Sequence, residues 1–138
     1  MPPTPNPVAE YGSDPAQLVQ DYLAAMERRD LETAKTYLAP QFEMIFPGGV
    51  THRSLEALVG ASSSRYQRVG KHYERFDVCE SGEQTVVYCF GTLRGSWTDG
   101  TPFDGIRFID RFTVETGLLV DQKVWNDIGE FQLANRSD

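Results

Sequence analysis

Read from its amino end, the chain alternates between helical stripes and strand-like alternation. Asp14-Pro15 offers an N-cap followed by proline in the first turn. Leu18, Tyr22, Leu23 and Met26 then fall on one face of a helix reaching about Arg28. Asp30 caps a second short helix with Leu31, Ala34 and Leu38 inward, stopped by Pro40. Phe42-Glu43-Met44-Ile45-Phe46 reads as a short strand, ended by Pro47-Gly48-Gly49. A third helix runs from about Ser54 through Leu55, Leu58, Val59 and Ser62 towards Tyr66. Its Gly60 and serine run are weak helix formers, so it frays or bends. Strands follow over His72 to Cys79 and Thr85 to Leu93, joined by a Ser81-Gly82 turn, and two more complete a four-stranded meander. Helices first and antiparallel strands later make the class α+β. The expected architecture is a curved antiparallel sheet wrapped around three N-terminal helices, a cone with an internal cleft.

The stretch Ile106-Arg107-Phe108-Ile109-Asp110-Arg111-Phe112-Thr113-Val114 carries the most information. Alternation puts Ile106, Phe108, Phe112 and Val114 on one face, with Asp110 in their midst. A carboxylate there is costly unless it is paired or neutral. If Asp99-Gly100 is a two-residue hairpin loop, Cys89 lies opposite Asp110, Gly91 opposite Phe108, Val87 opposite Phe112 and Leu93 opposite Ile106. Downstream, Glu115-Thr116-Gly117 suits a three-residue loop. Asp110 then pairs with Gln122, Phe108 with Val124 and Ile106 with Asn126. A two-residue Thr116-Gly117 loop shifts the last strand by one residue, and Lys123, Trp125 and Asp127 face Asp110 instead. The other face pairs Tyr88 with Arg111, Phe90 with Ile109, Arg111 with Asp121 and Arg107 with Trp125. It is apolar enough to expect a homodimer interface there.

Composition narrows the partners. The 138 residues are 40% hydrophobic and 24% charged, with net charge −7, which argues against nucleic acid and anionic membranes. No run is long enough to span a bilayer, and no signal-peptide pattern opens the chain. Cys79 and Cys89 read as free thiols, consistent with a cytoplasmic location. Residues 1–13, with Pro2, Pro3, Pro5 and Pro7, read as a flexible arm. Residues 14–138 read as a single domain. His52 and His72 lack ligand spacing, and no metal or organic cofactor is implied.

The stretch from Tyr22 to Gly49, the strand around Asp110 and the closing Gly117-Leu118-Leu119 and Trp125-Asn126-Asp127 together resemble the nuclear-transport-factor-2-like superfamily. The likeness covers about residues 15 to 130 and is nearest the SnoaL-like branch with its polyketide cyclases, and the ketosteroid isomerases. The resemblance places Tyr22 at the isomerases' oxyanion-hole tyrosine and Asp110 at their protonated aspartic acid. It places Phe46 where their general base stands, and phenylalanine cannot take a proton. Epoxide hydrolases of the superfamily have an aspartate near Val124. They also need an Arg-x-Asp that the strand around Cys89 lacks.

Two readings of Asp110 remain open: a neutral pocket acid acting on a carbonyl with Tyr22, helped by water or His52, or a structural carboxylate satisfied by neighbours. The expected ligand is a small, mostly apolar molecule with carbonyl or hydroxyl groups, in a pocket lined by Phe46, Cys89, Phe108, Phe112, Gln122, Val124 and Asn126. The alternatives to an enzyme are a non-catalytic binding module and a dimerisation scaffold.

Overall fold

The computed structural model describes residues 14–135, and the expected proline-rich arm, residues 1–13, lies outside them. Helix α1 spans Pro15–Glu27. The Asp14 carboxylate accepts from the Gln17 backbone N–H at 3.1 Å, and Pro15 supplies a first-turn residue with no N–H to orphan. The stripe Leu18, Val19, Tyr22, Leu23 and Met26 is buried against the sheet. Asp30 caps α2, Leu31–Lys35, through the Thr33 N–H at 3.3 Å. This helix does not continue to Leu38. That residue instead opens β1, Leu38–Phe46, which runs straight across Pro40. Proline is tolerated because the pairing of β1 with β6 is interrupted between Leu38 and Glu43, so no ladder donor is missed there.

A turn at Pro47–Gly49, with Gly48 and Gly49 at φ +82° and +79°, folds the chain back into β2, Val50–His52. Helix α3, Leu55–Arg65, starts at Ser54, whose hydroxyl accepts from the Ala57 N–H at 3.1 Å. Four long strands follow: β3, Tyr66–Ser81; β4, Gln84–Trp97; β5, Pro102–Glu115; and β6, Leu118–Asn126. A short helix α4, Ile128–Asn135, not anticipated from the sequence, comes after them. The class is α+β, with an open, curved sheet in the order β2-β1-β6-β5-β4-β3. The sheet is mixed and not purely antiparallel, because β1 joins β6 in parallel. Its inner face, including Val87, Cys89, Leu93, Ile106, Phe108, Phe112 and Val114, packs on α1. Among the described residues no helix is long and apolar enough to cross a membrane.

The β4–β5 register is the expected one: Val87 faces Phe112, Cys89 faces Asp110, Gly91 faces Phe108 and Leu93 faces Ile106. The route to it differs. Ser96 pairs with Pro102, and Trp97 exchanges backbone bonds with Thr101 and Gly100, so the loop holds three residues, Thr98 to Gly100. That offset is cancelled at Asp104 and Gly105, which bulge opposite Arg94, with Gly105 at φ +73°.

In the β5–β6 hairpin Glu115 pairs with Leu118 across a two-residue Thr116-Gly117 loop, both residues at positive φ. A bulge at Val120 adds a second one-residue shift, so Asp110 faces Val124, Phe112 faces Gln122 and Phe108 faces Asn126. Two single shifts restore parity. Gln122, Val124 and Asn126 therefore keep the face expected of them, while each cross-strand partner is displaced by two. Lys123, Trp125 and Asp127 stay off the inner face. Outside, Arg111 meets Lys123 and not Asp121. Trp125 meets Ile109 and not Arg107, which instead pairs with Asp127.

Gly91 sits at a close approach between β4 and β3. A Cβ there would lie 2.0 Å from the His72 carbonyl oxygen and 3.0 Å from the Phe108 ring. Gly60, inside α3, has open space around it. Gly91→Ala should therefore lower stability by ~1–3 kcal/mol through forced strand separation. Gly60→Ala should raise it by ~0.5–1 kcal/mol through helix propensity. Urea midpoints of the two variants should move in opposite directions; a tolerated Gly91→Ala would contradict the close approach.

Candidate functional site

Asp110 sits at the centre of β5's inner face and has no solvent exposure. It is not alone there. The Lys71 ammonium lies 2.8 Å from its Oδ2 and 4.9 Å from the centre of the Phe108 ring. Lys71 reaches this position because β3 bulges between Tyr73 and Arg75. Below the bulge Phe76 and Val78 face inward with Cys89 and Val87. Above it the phase flips, and Tyr73 and Lys71 turn inward beside Gly91 and Leu93. Without the extra residue Lys71 would point to the outer face.

A buried carboxylate needs a compensating charge or a full set of hydrogen bonds. Here Lys71 supplies the charge. The expectation of a neutral Asp110 presupposes an unpaired carboxyl, and the ammonium removes that premise. Burial is the largest single influence and disfavours the charged lysine, but the charge and hydrogen bond of Asp110, together with Tyr73 and Cys89, hold the ammonium above the ordinary lysine range.

Tyr22, from α1, has its ring fixed edge-on against Phe112 at 5.9 Å and Phe42 at 6.1 Å. Burial pushes its hydroxyl well above the usual tyrosine range; Lys71 opposes this and Asp110 adds to it. The group stays protonated and able to donate. Burial likewise pushes Tyr73 and the Cys89 thiol each up to about 12. The Tyr22 hydroxyl and Asp110 Oδ1 are buried without a hydrogen-bond partner among the described residues.

Tyr22, Lys71, Tyr73 and Asp110 line the buried side of a cavity of about 300 Å³. Leu23 and Met26 of α1, Leu58 and Val59 of α3, and Val69 and Leu93 of the sheet give it apolar walls. Of the residues expected from the sequence, Tyr22, Asp110, Phe46, Phe108, Gln122, Val124 and Asn126 all line it. His52 does too, its ring edge-on to Phe46 at 5.7 Å. Cys89 and Phe112 do not; both are fully buried in the core behind the wall. The Asn126 Oδ1 accepts from the Ile128 N–H at 3.1 Å and so is committed to starting α4. Lys71 and Tyr73 were missed because simple alternation gives no sign of the bulge. Arg29 and Arg65, also on the cavity wall, were missed because exposed charged residues at helix ends add nothing to the apolar stripes that mark an inward face. Among the described residues no group of three or more His, Cys, Asp or Glu side chains is placed to hold a metal ion.

The open, curved six-stranded sheet with its few helices is the nuclear-transport-factor-2-like fold. Within it, the SnoaL-like domain model matches residues 19–122, so the chain belongs to the SnoaL-like domain family. It is similar to a nuclear-transport-factor-2-like protein of unknown function from Burkholderia pseudomallei. The two share 25% identity over 84% of this chain and 92% of that one, with a TM-score of 0.70. TerC, solved with polyporic acid, is 20% identical over 86% of this chain and 95% of its own, with a TM-score of 0.68. A candidate SnoaL-like polyketide cyclase from a Jannaschia species is 14% identical over 99% of both chains, with a TM-score of 0.61. No match was found among curated proteins.

The ion pair has a measurable signature. Lys71→Met leaves Asp110 buried and unpaired and should cost ~3–5 kcal/mol. Replacing both partners, as Lys71→Met with Asp110→Leu, should recover most of that loss. Equilibrium urea unfolding of the two single variants and the double variant tests this. Simple additivity of the single effects would show that the two charges do not depend on each other.

Proposed function

We propose that the cleft binds a small, mostly apolar molecule bearing carbonyl or hydroxyl groups, and that its buried polar groups perform isomerase- or cyclase-type acid–base chemistry on it. One observation carries this reading: two buried polar atoms, the Tyr22 hydroxyl and Asp110 Oδ1, have no hydrogen-bond partner among the described residues, and both residues line a largely apolar cavity. Polar groups this buried are almost always satisfied, and a ligand oxygen is the partner that suits both. A substrate carbonyl accepts from Tyr22, and the nearby Lys71 ammonium stabilises negative charge developing on that oxygen. Asp110, through Oδ1, takes a proton from a hydroxyl or from carbon beside the carbonyl. His52, on the cavity wall, relays protons to solvent. Asp110 thus acts as acceptor, the reverse of the donor role that the isomerase resemblance implies.

Phe46 favours the competing reading of a binding module without chemistry. It lines the cavity at the position where that resemblance puts a general base. Mass spectrometry of small molecules released from the purified protein identifies the natural ligand. Turnover of that compound should fall ~100- to 1000-fold in Asp110→Asn and in Tyr22→Phe. Binding without turnover in the parent protein would establish the module instead.

The outer sheet face suits a second copy of this chain. Trp125 is 53% exposed there, opposite Ile109, beside Arg111 stacked over Tyr88 at 6.0 Å. Light scattering should give a dimer mass for the parent and a monomer mass for Trp125→Glu. A monomeric parent protein would end this assignment.

A further inference from the structure

The charges around the cavity are not those of the chain as a whole. The protein carries net charge −7, yet the cavity wall includes Arg29, Arg65 and Lys71 against Glu27 and Asp110. Lys71 is committed to Asp110. The two arginines are exposed and line the cavity, as does the Glu27 carboxylate. Among the described residues neither arginine has a carboxylate oxygen within 4.0 Å.

Arg29 occupies its place against local preference. Helix α1 ends in a Schellman turn. The Asp30 N–H bonds the Ala25 carbonyl at 2.9 Å, and the Arg29 N–H bonds the Met26 carbonyl at 3.0 Å. Arg29 is the residue after the cap, at φ +60°. Glycine is the usual occupant of that position, because a Cβ is strained in the left-handed region. Its guanidinium donates one bond, from Nη1 to the Met26 carbonyl at 2.8 Å, which steadies the side chain and leaves further N–H groups to face a ligand. A non-glycine residue held in this conformation on a cavity wall is the kind of local conflict that function explains better than folding. Arg65 closes α3 beside the Tyr66 hydroxyl, on the same cavity.

We propose that Arg29 and Arg65 form an anion-recognition site on the exposed part of the cavity wall, so that the cleft selects apolar molecules carrying an acid group such as a carboxylate, sulfonate or phosphate. This rests on the cleft being a ligand site. The apolar body fills the hollow, its carbonyl or hydroxyl meets Tyr22 and Asp110, and the acid group stays at the surface between the arginines. Arginine forks suit such oxyanions. Their exposure keeps each contact modest and salt-sensitive.

A matched pair of fluorescent probes tests this: 1-anilinonaphthalene-8-sulfonate and N-phenyl-1-naphthylamine, which share an aromatic body and differ by the sulfonate. The sulfonate should bind more tightly to the parent protein. Arg29→Gly and Arg65→Gln should each weaken it about fivefold, and leave the neutral probe within about twofold. Raising salt should reproduce the loss for the sulfonate alone. Arg29→Gly should melt no lower than the parent, because glycine relieves the backbone strain. Equal affinity of the two probes, or variants that weaken both alike, would overturn the anion site and leave the cleft reading standing. Failure of both probes to bind would overturn the cleft reading and this inference with it. A lower melting temperature in Arg29→Gly with sulfonate binding unchanged would assign that arginine to helix capping alone.

Discussion

The ion pair between Lys71 and Asp110 governs the interior of this protein. Removing two charges from water is expensive, and their attraction offsets the cost only when the geometry is close. At 2.8 Å, with Asp110 fully buried and Lys71 also resting on the Phe108 ring, the geometry is close. An apolar pair of similar volume would serve folding as well or better. Among the described residues the pair also leaves one carboxylate oxygen unbonded, and it places an ammonium near the Tyr22 hydroxyl. The same contact that makes burial tolerable therefore sets the charges available to a ligand.

Bulges position that pair. Antiparallel strands of regular register alternate faces without interruption, and each inserted residue inverts the alternation beyond it. One insertion in β3 turns Lys71 inward. One in β5 compensates the longer loop at Thr98 to Gly100. One in β6 compensates the shorter loop at Thr116-Gly117. Bulges also bend strands and increase their twist, as the curvature of a sheet closing over α1 requires. Shape and chemistry here share a cause.

The cavity combines an apolar wall with polar groups. Tyr22, Lys71 and Asp110 line its buried side, and Arg29, His52 and Arg65 line the same hollow. Burial raises the Tyr22, Tyr73 and Cys89 protons out of the physiological range. Those three groups stay neutral, and the field inside comes from Lys71 and Asp110. Fold membership alone leaves activity open, so the reading of function rests on these side chains.

Much of this was legible in the chain. Asp14, Asp30 and Ser54 announce helix starts, because capping is local chemistry. Asp110 stands out because alternation assigns its face regardless of loop detail, and parity carried Gln122, Val124 and Asn126 to the same face despite a two-residue error in pairing. Phe112 and Cys89 show the limit of such reasoning: a face is not a cavity wall, and which inward residues meet empty space depends on where α1 sits above them. Lys71 shows it more sharply. Sequence alone determined a cone-like α+β fold with a carboxylate inside it. Only the tertiary structure decided that the carboxylate has a partner, because one unpaired residue in a neighbouring strand reverses which side chains point in, and periodicity within a single strand carries no record of that.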